Sequence, residues 1–151
     1  MHLDFSGAPM IAAPRPMVFQ RLIDPETVSA AAPGVESVET VGDHHFRISS
    51  GFGVGAIKLQ FILDVELSDI VAPERAKMRA HGKAPGSMVD VQTSIQLEEK
   101  GPDETQLHWQ ARATISGTLA SLGGRLLEGA ARKLTEEFWD TFARQASEAT
   151  G

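Results

Sequence analysis

The chain contains no cysteine. That absence excludes disulfides, thiolate metal sites, iron–sulfur ligation and cysteine nucleophiles together. Nor is there an uninterrupted apolar run near the roughly 18–20 residues that a bilayer-crossing helix needs. Positive charge is scarce: 14 Lys and Arg stand against 20 Asp and Glu, a net charge of −6. Nucleic-acid surfaces displace phosphate counterions with clustered Lys and Arg. No such run exists here, so no nucleic-acid partner is expected. The N-terminus, Met1-His2-Leu3-Asp4-Phe5-Ser6, has an early acid and lacks the charged-then-apolar order of a secretory signal. A cytoplasmic location is the expectation.

What is present is a mixed globular composition. Hydrophobic residues make up 42% and charged residues 23% of 151, with 14 glycines and 8 prolines. Length and composition predict one domain over residues 1–151. The segment from Leu3 to Ala12 reads as a strand, with Pro9 placing it at an edge or a bulge. Two short helices follow. Pro14 and Pro16 suit a first helical turn, with Val18, Phe19, Leu22 and Ile23 as its apolar face. Asp24-Pro25-Glu26 is a helix start, in which Asp24 caps free amides and Pro25 presets φ; Pro33-Gly34 stops that helix.

From Val35 to about Gly117 the apolar period is two. Leu59, Phe61, Leu63, Val65 and Leu67 share one face, against Lys58, Gln60, Asp64 and Glu66 on the other. Ala76, Met78 and Ala80 form the next inward row, opposite Arg75, Lys77, Arg79 and His81. Val89, Val91, Thr93, Ile95 and Leu97 follow, and then Leu107, Trp109, Ala111, Ala113 and Ile115. Phe46, Ile48, Ser50 and Phe52 alternate less cleanly. The links between these runs are too short for parallel crossovers, so the strands form an antiparallel meander with one wet and one buried face.

After Gly117 the period becomes 3.6. Leu119, Leu122, Leu126, Ala130, Leu134, Phe138 and Phe142 recur three or four apart, broadened by Leu127, Ala131 and Trp139. They predict a helix from about Leu119 to Ser147, roughly 40 Å long at 1.5 Å per residue. The fold class is therefore α+β: a helix-grip fold, with a curved antiparallel sheet of about seven strands wrapped around a long C-terminal helix.

Several groups of residues invite functional readings. Gly51, Gly53 and Gly55 precede a strand and not a helix N-terminus, so they read as a turn or bulge between strands, not as a phosphate loop. His44 and His45 follow the turn signal Gly42-Asp43 and read as solvated turn residues. Adjacent strand residues point to opposite faces, so the two do not share a metal. No metal site and no cofactor are expected. His81 and His108 fall on the polar face by parity, and Asp64 and Glu66 read as cross-strand partners of Arg75, Lys77 and Arg79. The inward rows hold no titratable side chain; their polar members are Ser50 and Thr93. No catalytic residue is therefore assigned. Gly123, Gly124 and Gly129 interrupt a helix at about 0.8–1 kcal/mol each, which predicts close packing against the strands or a hollow seam beneath the helix.

Six stretches stand in order along the chain: Ile11-Ala12-Ala13-Pro14, Val18-Phe19, Leu22-Ile23-Asp24-Pro25-Glu26-Thr27-Val28, Pro33-Gly34-Val35-Glu36-Ser37-Val38-Glu39, Gly53-Val54-Gly55-Ala56-Ile57-Lys58, and the long run from Leu119-Ala120-Ser121 to Arg132-Lys133-Leu134. Together they resemble the family of the carbon monoxide dehydrogenase G subunit, within the START-like superfamily of lipid carriers, polyketide cyclases and pollen-allergen-like proteins. The resemblance covers about Leu3 to Ala146. It implies association with a molybdenum-containing carbon monoxide dehydrogenase or related hydroxylase, in assembly, membrane recruitment or electron-acceptor supply. It also implies membrane contact that is at most peripheral, at the inner face, since many members continue past the long helix into a membrane-associating tail where this sequence ends at Gly151.

Pattern and resemblance together predict a non-catalytic binding or carrier protein for an apolar small molecule, a lipid or isoprenoid quinone. The residues expected to line its cavity are Ser50, Phe61, Met78, Val91, Thr93, Trp109, Ala111 and Ala113 from the sheet, and Leu126, Leu127, Ala130 and Leu134 from the helix. The alternative is a polyketide cyclase or dehydratase using the same cavity.

Overall fold

The structure is a computed structural model that describes residues 1–32, 34–54 and 57–148. Strands β1 (His2–Gly7) and β2 (Met10–Ile11) are separated at Ala8-Pro9, and both pair antiparallel with the last strand. Proline has no amide to give a ladder, so the run breaks there and its two pieces take the sheet's edge. Helix α1 (Arg15–Leu22) buries Val18, Phe19 and Leu22. Helix α2 (Pro25–Ala31) is capped by Asp24, whose carboxylate accepts from the Glu26 amide at 3.2 Å and the Thr27 hydroxyl at 2.8 Å.

Six strands then follow as an antiparallel meander: β3 (Val35–Gly42), β4 (His45–Val54), β5 (Ile57–Val71), β6 (Arg75–Ala84), β7 (Ser87–Gly101) and β8 (Glu104–Gly117). The order across the sheet is β1-β8-β7-β6-β5-β4-β3, with β2 also on β8, eight strands in all. Register places Phe61 opposite Ser50, Val91 opposite Ala80, and Thr93 between Met78 and Ala111. The inward rows are thus continuous stripes across the curved sheet.

The C-terminal segment departs from the expected single helix. A short 3-10 helix, Thr118–Leu122, comes first, and the long helix α3 runs from Gly124 to Glu148. The break is at Gly123, whose φ is +100°, a conformation that side chains other than glycine resist. Gly117 starts the 3-10 helix with φ 85° and ψ −155°. A Cβ there would lie 2.1 Å from the Gly86 carbonyl oxygen.

Close packing does not explain the other helix glycines. A Cβ added to Gly124 or Gly129 would meet nothing within 4 Å, and both positions are exposed. They face away from the sheet, so they form neither a tight seam nor a hollow one. Gly51 and Gly53 lie within β4 and not in a turn. Pro33 and Gly55, parts of the expected helix stop and glycine turn, lie outside the described residues, as does the side chain of Phe52.

Candidate functional site

Helix α3 lies across the inner face of the sheet and fills it unevenly. At one end Phe19, Leu22, Leu97, Leu107, Trp109, Trp139 and Phe142 form a closed core with Ile11 and Ala146. Toward the helix N-terminus the sheet offers small residues, Ala80, Ala111 and Ala113, and the helix offers Ala130 and Ala131. These side chains are too short to meet. Between them is a cavity of about 260 Å³.

Its sheet wall is made by Ile48 and Ser50 of β4, Phe61, Leu63 and Val65 of β5, Met78 and Ala80 of β6, Val89, Val91 and Thr93 of β7, and Ala111, Ala113 and Ile115 of β8, with Phe5 from the edge strand. The roof is Leu127, Ala130, Ala131, Leu134, Thr135, Phe138 and Trp139; Leu119, Val28 and Ala32 close the ends. No Asp, Glu, Lys, Arg or His stands among these described lining residues. The polar side-chain groups are the hydroxyls of Ser50, Thr93 and Thr135 and the indole N–H of Trp139, and Thr135 donates its proton to the Ala131 carbonyl at 2.6 Å.

Ser50, Phe61, Met78, Val91, Thr93, Ala111, Ala113, Leu127, Ala130 and Leu134, named from the sequence, all lie on this wall. Two others do not. Trp109 is buried in the closed core, stacked on Trp139 with ring centroids 5.7 Å apart and planes 19° from parallel. Trp139 presents the ring that lines the cavity, and Trp109 backs it. Trp109 fits there because Gly7 has no side chain: a Cβ on Gly7 would approach its indole nitrogen to 2.6 Å. Leu126 is 41% exposed. At 3.6 residues per turn it points about 110° from the centre of the inward stripe, which Leu127, Ala131, Leu134 and Phe138 define.

Inward parity already marked the lining residues Leu63, Val65, Ala80, Val89 and Ile115. Phe5 and Val28 had no such signal, because an isolated edge strand and a seven-residue helix carry too few turns to phase.

The histidines and charges are on the outer face. His45 opens strand β4, and its Nε2 donates to the Asp64 carboxylate, so it is a paired strand residue and not a solvated turn residue. This bond, reinforced by Arg47, holds the Asp64 carboxyl below its ordinary value. His81 donates to Asp90 at 3.0 Å, and Arg79 also reaches Asp90, at 3.3 Å. Lys77 pairs with Asp69 at 3.4 Å. Lys77 and Arg79, two of the cations expected to face Asp64 and Glu66, thus pair with Asp69 and Asp90. His108 donates to Glu98, which together with Lys100 lowers the Glu98 pKa. Among the described residues no group of three His, Asp or Glu is arranged to hold a metal ion. A broader hollow of about 700 Å³ lies on this outer face between Asp69 and Gln110. Lys77 and His108 on its wall are already paired, and it lies across the sheet from the apolar cavity.

No described helix is long and apolar enough to cross a membrane. No curated relative matches the sequence. Among solved structures, a conserved protein from Geobacillus kaustophilus superposes with a TM-score of 0.88 at 24% identity, covering 97% of each chain. A START superfamily protein from Mycobacterium smegmatis gives 0.72 at 12% identity over 99% of both chains. The Zhui aromatase/cyclase from Streptomyces sp. R1128 also gives 0.72, at 15% identity over 100% of this chain and 97% of that one. At such identities these similarities establish the helix-grip fold alone. The sequence profile of the carbon monoxide dehydrogenase G subunit (CoxG) matches residues 7–147, nearly the whole sheet and long helix, and the chain belongs to the CoxG family.

Proposed function

We propose that the protein binds an apolar small molecule, a lipid or the ring of an isoprenoid quinone, in the cavity beneath α3 and carries it without transforming it. The observation that carries this reading is the chemistry of the wall: no described lining side chain is an Asp, Glu, His, Lys or Arg. General acid–base catalysis needs a titratable group within hydrogen-bond reach of the reacting atom. A cyclase or dehydratase working in this cavity would have none from these residues.

Size narrows the ligand. An apolar cavity of about 150 Å³ takes a benzene molecule, so 260 Å³ encloses about ten carbon atoms. A bicyclic ring or a medium acyl chain fits within; the remainder of a long isoprenoid extends outside. Burying ten methylenes at about 0.8 kcal/mol each gives about 8 kcal/mol before the cost of association, so micromolar affinity is the ceiling.

CoxG membership supports a role beside a molybdenum-containing carbon monoxide dehydrogenase or related hydroxylase, with the chain acting as one domain in the cytoplasm and touching the membrane at most peripherally.

The test is a fluorescence titration with 1-decanol and 1,4-naphthoquinone. Trp139 lines the cavity and Trp109 does not, so the reporter is Trp139 in a Trp109→Phe background. Saturable change is expected, and Ala111→Phe, which fills the space, should abolish it while the far-ultraviolet circular dichroism stays that of a folded protein. No saturable change with either ligand, or equal binding by the filled variant, refutes the carrier reading.

A further inference from the structure

The described lining carries no charge, yet one of its residues, Phe5, lies under a cation. Phe5 of the edge strand β1 lines the cavity and is half-buried. The Arg132 guanidinium lies over its ring, with Cζ 5.8 Å from the centroid. Arg132 follows the lining residue Ala131 on α3 and stays 56% exposed. One NH2 group donates to Glu128, one turn earlier, at 2.8 Å. A guanidinium has five N–H donors in a planar fork, and the bond to Glu128 is made by one NH2 group. The ring beneath and the carboxylate behind hold the group at one place, which reduces the rotamer entropy lost when it engages a ligand.

From this geometry we infer that Arg132 is the polar anchor of the cavity. A ligand places its apolar body between Ala111 and Leu134 and its oxygen acceptor, a carboxylate or a ring carbonyl, on the Arg132 guanidinium beside Phe5. The inference rests on the carrier reading and specifies its ligand class: a compact amphiphile headed by an oxygen acceptor. Glu128 competes with that head for the guanidinium, so it lowers affinity, most strongly for an anionic head. The hydroxyls of Ser50 and Thr93 stand on the sheet wall and so do not serve this rim position.

The experiment uses the same Trp139 reporter and three ligands of similar size: decanoate, 1,4-naphthoquinone and 1-decanol. Each is titrated into the reporter protein, Arg132→Gln and Glu128→Gln. Arg132→Gln is expected to weaken decanoate or naphthoquinone about tenfold, leaving 1-decanol within twofold; whichever of the two falls identifies the head group as carboxylate or carbonyl. Glu128→Gln should tighten decanoate severalfold. If Arg132→Gln leaves decanoate and naphthoquinone unchanged, or weakens all three ligands equally, the anchor is refuted while the carrier reading stands. If the reporter protein binds none of the three, the carrier reading fails and the anchor with it.

Discussion

Single residues fix the chain's sharpest constraints, and three can be tested by stability alone. Gly117 has φ and ψ that only glycine adopts readily, with the Gly86 carbonyl where a Cβ would go. Gly117→Ala is expected to cost more than about 2 kcal/mol, measured by urea unfolding. Gly129 is the opposite case: exposed, within α3, with nothing near its missing Cβ. Gly129→Ala should stabilise by about 0.5–1 kcal/mol through helix propensity, and a loss in the same assay would mean that something covers that face. Asp64 has its pKa lowered, first by the His45 bond and then by Arg47. Its stabilisation is full above its unfolded value of about 3.9 and is lost as pH falls through the lower folded value. Half-exposed as it is, Asp64→Asn should cost under about 1 kcal/mol at pH 7, and the difference between variant and wild type should shrink as pH falls below about 3.9.

At the level of elements, alternation and helical periodicity were legible because each strand buries one face and α3 buries one stripe. Parity put Val65, Ala80, Val91 and Ala113 on the inner face, and register then joined them into one stripe. What periodicity could not show was where one helix ends and another begins. The apolar spacing runs through Leu119, Leu122 and Leu126 without a gap, and only the backbone at Gly123 separates the 3-10 helix from α3. The same limit misplaced Leu126, whose i,i+4 link to Ala130 lies at the rim of the stripe. Trp109 and Trp139 were equally plausible lining residues by pattern; their stacking order depends on Gly7, about a hundred residues from Trp109 and brought opposite it only by β1 pairing. His45 was misread because a turn signal beside it concealed Asp64, diagonally across on β5. In α2, Asp24 accepts from Glu26 and Thr27; Asp24→Ala should cost about 1 kcal/mol, seen as a lower denaturant midpoint with an unchanged slope.

Across the whole molecule, the sheet separates two chemistries. Every histidine pair and ion pair described on the strands is on the outer face, and the described cavity wall on the inner face, from Ile48 to Ile115, has no charged side chain. Such a division suits a container more than a catalyst. The chain has five methionines, and they sample this division well: Met78 lines the cavity, whereas Met1, Met10, Met17 and Met88 are 37–48% exposed. Methyl NMR of protein labelled with ¹³C-methyl methionine, titrated with 1-decanol, therefore reports where the ligand goes. Binding beneath α3 predicts a saturable shift of the Met78 methyl while the other four stay in place. A Met78 signal unmoved at the end of the titration, or exposed methionines that shift as far as Met78, would contradict it.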